Sequence, residues 1–154
     1  SRRYDCDYIN LGFSGSARGE DSIAEYMSDL DVSLFVCDYD HNAPDVGHLR
    51  DTHEKLFKKF RSKSAELPVI FVSRPNFEKD TYDSIMRRDV IYTTYINAIR
   101  SGDKNVYFID GQALFKDENR DCCTVDTVHP NDAGFVRMAE IIGHTVGRIL
   151  KAIC

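Results

Sequence analysis

An α/β sandwich with a mostly parallel sheet is the fold class this sequence predicts. Three features carry that reading: short runs rich in β-branched and aromatic residues, intervening segments whose apolar residues recur about every 3.6 positions, and the regular alternation of the two along the chain. At 154 residues, with no repeat, low-complexity tract or linker, the sequence predicts a single domain over 1–154.

The elements follow in order. A first strand is predicted over 7–13 (DYINLGF), then a helix over 20–30 with Ile23, Tyr26, Met27 and Leu30 on one side. A second strand, 32–39 (VSLFVCDY), precedes a helix over 45–63 that lines up Leu49, Leu56, Phe57 and Phe60. The third strand, 68–74 (PVIFVSR), leads to a helix over 80–100 with Ile85, Ile91, Tyr92, Tyr95, Ile96 and Ile99. The fourth, 105–111 (NVYFIDG), comes before a last helix over 131–151 carrying Phe135, Met138, Ile142, Val146, Ile149 and Leu150. Each strand is apolar almost without interruption, as expected where a parallel sheet is covered on both faces. Strand–helix–strand units of this kind cross over right-handedly.

Composition narrows the function. A net charge of -5 and a pI near 5.5 argue against nucleic-acid binding, and no apolar run reaches the length of a membrane span. The basic stretch Lys58, Lys59, Arg61 and Lys63 falls at a predicted helix C-terminus, where cations complement the macrodipole. Five cysteines without paired C-x-x-C spacing predict free thiols rather than a zinc site, which favours a cytoplasmic protein. The opening SRRYDCDYINL is not a signal peptide.

In sheets of this class ligands bind beyond the carboxyl ends of the strands. The loops there are GFSGSARGE, DYDHNAPD, SRPNFEKD and DTVHPND, the chain's richest stretches in Gly, Ser, Asn, Asp and His. Gly12 and Gly15 allow positive φ and close backbone approach, so the first loop suits an oxyanion, a phosphate or a plain turn; it lacks the lysine of a P-loop. Ser14 resembles a nucleophile elbow except that Ser16 stands where a glycine belongs, which leaves Ser14 a minor candidate. Asn42 either donates an uncharged hydrogen bond into a site or shapes the turn before a helix with Pro44 near its first position and Asp45 in its first turn. Asp126, three residues before His129, either caps a turn or fixes the imidazole tautomer and leaves the other ring nitrogen as a base. Pro130 suits the first turn of the last helix, with Asn131 or Asp132 as its cap. His41, His48, His53 and His144 read as structural or surface residues.

Together, NLGFSG, Asn42 and DTVHPND resemble the second, third and fifth blocks of the SGNH hydrolases, the GDSL-type esterases and lipases, over about residues 8–150. The resemblance implies a flavodoxin-like three-layer α/β/α sandwich and a serine esterase; the lack of a long apolar stretch around the loops favours a small acyl group such as acetyl. The resemblance places Gly15 and Asn42 in the oxyanion hole, Asp126 as the catalytic acid and His129 as the base, with no cofactor, metal, nucleic-acid or membrane partner. The block that carries the nucleophilic serine in that family has no counterpart here, so the first family strand is expected to be absent and the chain to lack roughly thirty N-terminal residues, one strand–loop–helix unit. The missing strand belongs between 7–13 and 32–39, and a gap there invites re-pairing, strand exchange or homo-oligomers. A different reading is a non-catalytic flavodoxin-like module that binds phosphate or nucleotide through the Gly15 loop, with Asp38 or Asp40 as a regulatory carboxylate.

Overall fold

The computed structural model describes residues 1–75, 80–115 and 120–153. Its elements run α1 (Asp21–Ser28), β1 (Phe35–Cys37), α2 (Val46–Lys63), β2 (Val69–Val72), α3 (Thr81–Arg100), β3 (Val106–Ile109) and α4 (Asp132–Ile153), with short 3-10 turns at Asp40–Asn42, Gly111–Ala113 and Arg120–Cys123. The strands form a parallel sheet in the order β1-β2-β3, with Val36 opposite Ile70 and Phe71 opposite Phe108.

The central strand explains the layering. All of Val69–Val72 is buried, but alternate side chains serve opposite faces. Val69 and Phe71 join Leu49, Leu56, Phe57, Phe60 and Ile91 beneath α2 and α3, whereas Ile70 and Val72 join Ile109, Leu114 and Ile149 beneath α4. Helices on both faces of a parallel sheet make the three-layer α/β/α arrangement. Local signals set the helix starts: Asp45 caps α2 by accepting the His48 N–H at 2.8 Å, and Asp80 caps α3 by accepting the Asp83 N–H at 3.1 Å. Asp45 therefore lies just outside the helix rather than in its first turn. No described helix is long and apolar enough to cross a membrane.

The strand expected over 7–13 does not form. Tyr8, Ile9 and Phe13 are exposed, and the Asn10 side chain takes the Gly12 N–H at 2.9 Å in a local turn. An extended segment needs a ladder partner for its N–H and C=O groups. Among the described residues none lies beside it, and β1 remains the open edge of the sheet. Among the described residues, the gap is thus not closed by re-pairing of the chain's own strands.

The inward face of α3 also differs from expectation. Its buried stripe is Ser84, Arg87, Ile91, Thr94 and Ala98, while Ile85, Tyr92 and Ile99 are exposed. Small Ser84 and Ala98 suit close packing, and the two larger polar groups have specific partners. Thr94 Oγ1 lies 2.9 Å from His53 Nδ1, and Arg87 reaches the Asp40 turn. Tyr26 and Phe135, expected to face inward on α1 and α4, are exposed as well. The basic run on α2 pairs with acids: Lys59 and Lys63 with Glu25, Lys63 also with Asp29, and Arg61 with Asp103 at 2.7 Å.

Candidate active site

The loop between the Arg120–Cys123 turn and α4 holds Asp126 and His129 together. Asp126 Oδ1 accepts the N–H groups of Val128 at 3.0 Å and His129 at 2.7 Å, and Oδ2 lies 2.6 Å from His129 Nδ1. The backbone supports this geometry: Thr127 adopts φ 70°, and the Val125 N–H donates to the His129 carbonyl at 2.9 Å, closing a small antiparallel loop through Thr124 and Pro130. These bonds, first the backbone N–H of His129 and then its ring, hold the Asp126 carboxyl well below the usual carboxylate range. A carboxylate on Nδ1 stabilises the tautomer that leaves Nε2 as an acceptor. Nε2 makes no hydrogen bond among the described residues, and the His129 side chain is 72% exposed.

Asn131 fastens this loop to α4. Its Oδ1 accepts the Gly134 N–H at 3.1 Å as an N-cap, its Nδ2 donates to the Cys122 carbonyl at 2.7 Å, and its backbone N–H donates to the Cys123 carbonyl at 3.0 Å. Position 134 calls for glycine, because a Cβ there would overlap the Cys123 carbonyl oxygen. Asn131, not Asp132, is therefore the cap.

Asn42 ends the Asp40–Asn42 turn beyond β1, and its side-chain amide has no hydrogen bond among the described residues. Gly15 lies in an exposed turn with φ 65°, and its N–H is likewise unengaged among the described residues. The Gly15 loop is tied to α2, since the Arg18 carbonyl lies 2.9 Å from His48 Nε2 and Gly19 packs against Tyr39 and Thr52. The structure thus brings Asp126 and His129 into direct contact, while Asn42 and Gly15 occupy separate loops with no hydrogen bond to that pair. Ser14 sits in the same exposed turn as Gly15 and makes no side-chain bond to His129.

Several of the remaining polar and titratable residues have structural partners. His53 is buried between Thr94 and Cys37, and desolvation pushes its pKa down to about 3, so it stays neutral. His48 serves the Arg18 carbonyl, while His41 and His144 are exposed. Asp40 is buried and engaged by Arg74 and Arg87, so its carboxylate is not open to a ligand; Asp38 is exposed. Burial pushes the Asp40 carboxyl up, against the Arg74 N–H and the Arg87 guanidinium that favour its charged form. Of the loop Ser73–Asp80, residues 76–79 lie outside those described. Cys6, Cys37, Cys122 and Cys123 are thiols rather than disulfide partners, and among the described residues no group of three or more His, Cys, Asp or Glu could hold a metal ion.

Sequence reasoning missed the polar cluster of Asp40, Arg74, Asp83, Ser84 and Arg87 beneath the Asn42 turn. Its one trace in the sequence is that Ser84 and Arg87 fall in helical register with Ile91, on a stripe less apolar than its neighbour.

Residues 1–147 match the model of the GDSL-like lipase/acylhydrolase family. Among solved structures, the chain resembles one designated a GDSL-like lipase from Bacteroides ovatus ATCC 8483, with a TM-score of 0.80 and 28% identity, over 93% of this chain and 43% of that one. It also shares its fold with the salicylyl-acyltransferase SsfX3 of a tetracycline biosynthetic pathway, with a TM-score of 0.69 and 15% identity, over 86% of this chain and 42% of that one. The chain spans less than half the length of either structure. No curated protein matches the sequence.

Proposed function

The chain belongs to the GDSL-like lipase/acylhydrolase family, and from that premise we propose that it supplies the acid–base and oxyanion half of a serine esterase for small acyl esters. The observation that carries the reading is the 2.6 Å contact between Asp126 Oδ2 and His129 Nδ1, with Nε2 left unengaged. That is the arrangement a general base needs. The Asn42 amide and the Gly15 N–H, unengaged beyond the sheet, are suited to stabilise an oxyanion.

The nucleophile is a serine supplied from outside residues 1–154, on a strand seated against the open edge of β1. Its Oγ attacks the acyl carbon while His129 Nε2 takes its proton. The Asn42 amide and Gly15 N–H hold the resulting oxyanion. As the tetrahedral intermediate collapses, His129 returns the proton to the leaving alcohol, and water, activated by the same imidazole, then releases the acid from the acyl-enzyme. Without a long apolar stretch around the loops, a short acyl group is the substrate we favour, and acetyl esters are the first to test.

Fluorophosphonate labelling of the full-length protein, with mass mapping of the labelled serine, tests this reading. The expected result is one labelled serine outside residues 1–154, and labelling lost in His129→Ala. Label on Ser14 would move the nucleophile into this chain. No label, together with tight binding of a flavin or nucleotide, would replace the esterase reading with a binding module.

A further inference from the structure

The turn that carries Asn42 closes locally, with the Asn42 N–H on the Tyr39 carbonyl at 2.9 Å and the Ala43 N–H on the Asp40 carbonyl at 3.2 Å. It needs no buried cation to form, yet one lies beneath it. Arg87, buried on α3, donates from Nη1 to the Asp40 carbonyl at 2.7 Å and to the Ala43 carbonyl at 3.0 Å, the two residues that bracket His41 and Asn42. The same nitrogen lies 3.4 Å from Asp40 Oδ1, while Asp40 Oδ2 accepts the Arg74 N–H at 2.9 Å at the carboxyl end of β2.

The cation is itself aimed. Asp83 Oδ2 accepts from Arg87 Nε at 2.7 Å and from Arg74 Nη1 at 2.8 Å, and Arg74 is held in turn by Ser84 Oγ at 2.7 Å. Burying paired charges is costly and is weak evidence for added stability. What this cluster does accomplish is geometric: it locks the turn to two other elements, β2 and α3. Asn42 has no side-chain bond among the described residues to set its direction, so its amide points where the backbone of the turn points it.

We infer that Arg87 is a positioning residue for Asn42, fixing through the Asp40 and Ala43 carbonyls the place from which the amide meets the oxyanion; this rests on the proposed oxyanion role of Asn42. A lysine keeps the charge beside Asp40 and Asp83 but lacks the planar fork that holds Asp83 and both carbonyls together.

The test is a double-mutant cycle in the full-length protein, with p-nitrophenyl acetate as substrate and circular dichroism and Tm to confirm folding. Arg87→Ala would strand the buried Asp40 carboxylate, so Arg87→Lys is the variant of choice. Because displacing a catalytic group by about 1 Å can cost on the order of 100-fold, Arg87→Lys should lower kcat by about 10-fold or more, with KM within about 3-fold. In an Asn42→Ala background the same change should cost less than about 3-fold, because the amide it positions is gone. Wild-type kcat in Arg87→Lys, or an equal loss in both backgrounds, would overturn the positioning role and leave the role of Asn42 standing. Wild-type turnover in Asn42→Ala would overturn the oxyanion reading, and this inference with it.

Discussion

Asp126 accepts three hydrogen bonds, two from backbone N–H groups and one from the His129 ring, and this division of labour predicts how a conservative change acts. In Asp126→Asn the side-chain oxygen can keep the backbone bonds that shape the loop, but the amide NH2 then faces Nδ1. The ring responds by placing its proton on Nε2, and the base is lost with the loop intact. Turnover of an acetyl ester by the full-length protein should fall by the order of 10,000-fold with little change in Tm, as for an imidazole held in the wrong tautomer. Steady-state kinetics beside a thermal melt checks this; a large drop in Tm would mean that the residue's main work is structural. The pair was legible in the sequence because its partners are three residues apart, within reach of a single turn.

At the scale of elements, two packing contacts reverse familiar rules. Gly→Ala within a helix ordinarily stabilises, by roughly 1 kcal/mol. Gly134→Ala in α4 should instead destabilise by about 1–3 kcal/mol in urea unfolding, because the new Cβ would overlap the Cys123 carbonyl oxygen. The contact between α2 and α3 carries the other case, where His53 sits buried and neutral between Cys37 and Thr94 with its pKa pushed down to about 3. In the unfolded chain a histidine titrates near 6.5. Between pH 6.5 and about 3 the unfolded state therefore binds the extra proton, and stability falls as pH falls, by about 1.4 kcal/mol per unit. His53→Gln, which cannot titrate, should lack that component; parallel urea titrations at pH 7, 5.5 and 4.5 would show the two proteins diverging toward acid. If they run parallel, the histidine does not stay neutral. The polar character of this contact was not legible in the sequence, where the apolar residues of α3 marked Ile91 and Tyr95 correctly but also pointed to Ile85, Tyr92 and Ile99, which are exposed.

For the molecule as a whole, the consequential feature is the open edge of β1. The Phe35 N–H bonds to the Pro68 carbonyl on the β2 side, so the N–H and C=O of Val36 point away from the sheet. An unpaired edge of this kind is a template for another strand. We propose that the 154-residue chain expressed by itself associates through this edge, by strand exchange or by edge pairing between copies. Sedimentation velocity over a concentration series should show dimers or larger species, and Val36→Pro, which removes an outward-facing donor and no bond of the β1–β2 ladder, should reduce them while the circular dichroism spectrum is kept. Monomers at every concentration would refute it.

Taken by itself, the sequence determined the alternation of strands and helices, the parallel sheet buried on both faces, and the local Asp126–His129 unit. These depend on period and short-range spacing, which the order of residues records directly. Only the tertiary structure decided that residues 7–13 do not form a strand, because a strand exists through its partner and not through its own apolar residues. It alone revealed that α3 turns Ser84, Arg87 and Thr94 inward, because their partners Arg74, Asp40 and His53 lie outside α3, on segments brought to it only by folding. A helical wheel weighs side chains against water; it has no knowledge of the specific hydrogen bonds that make a buried arginine or threonine tolerable.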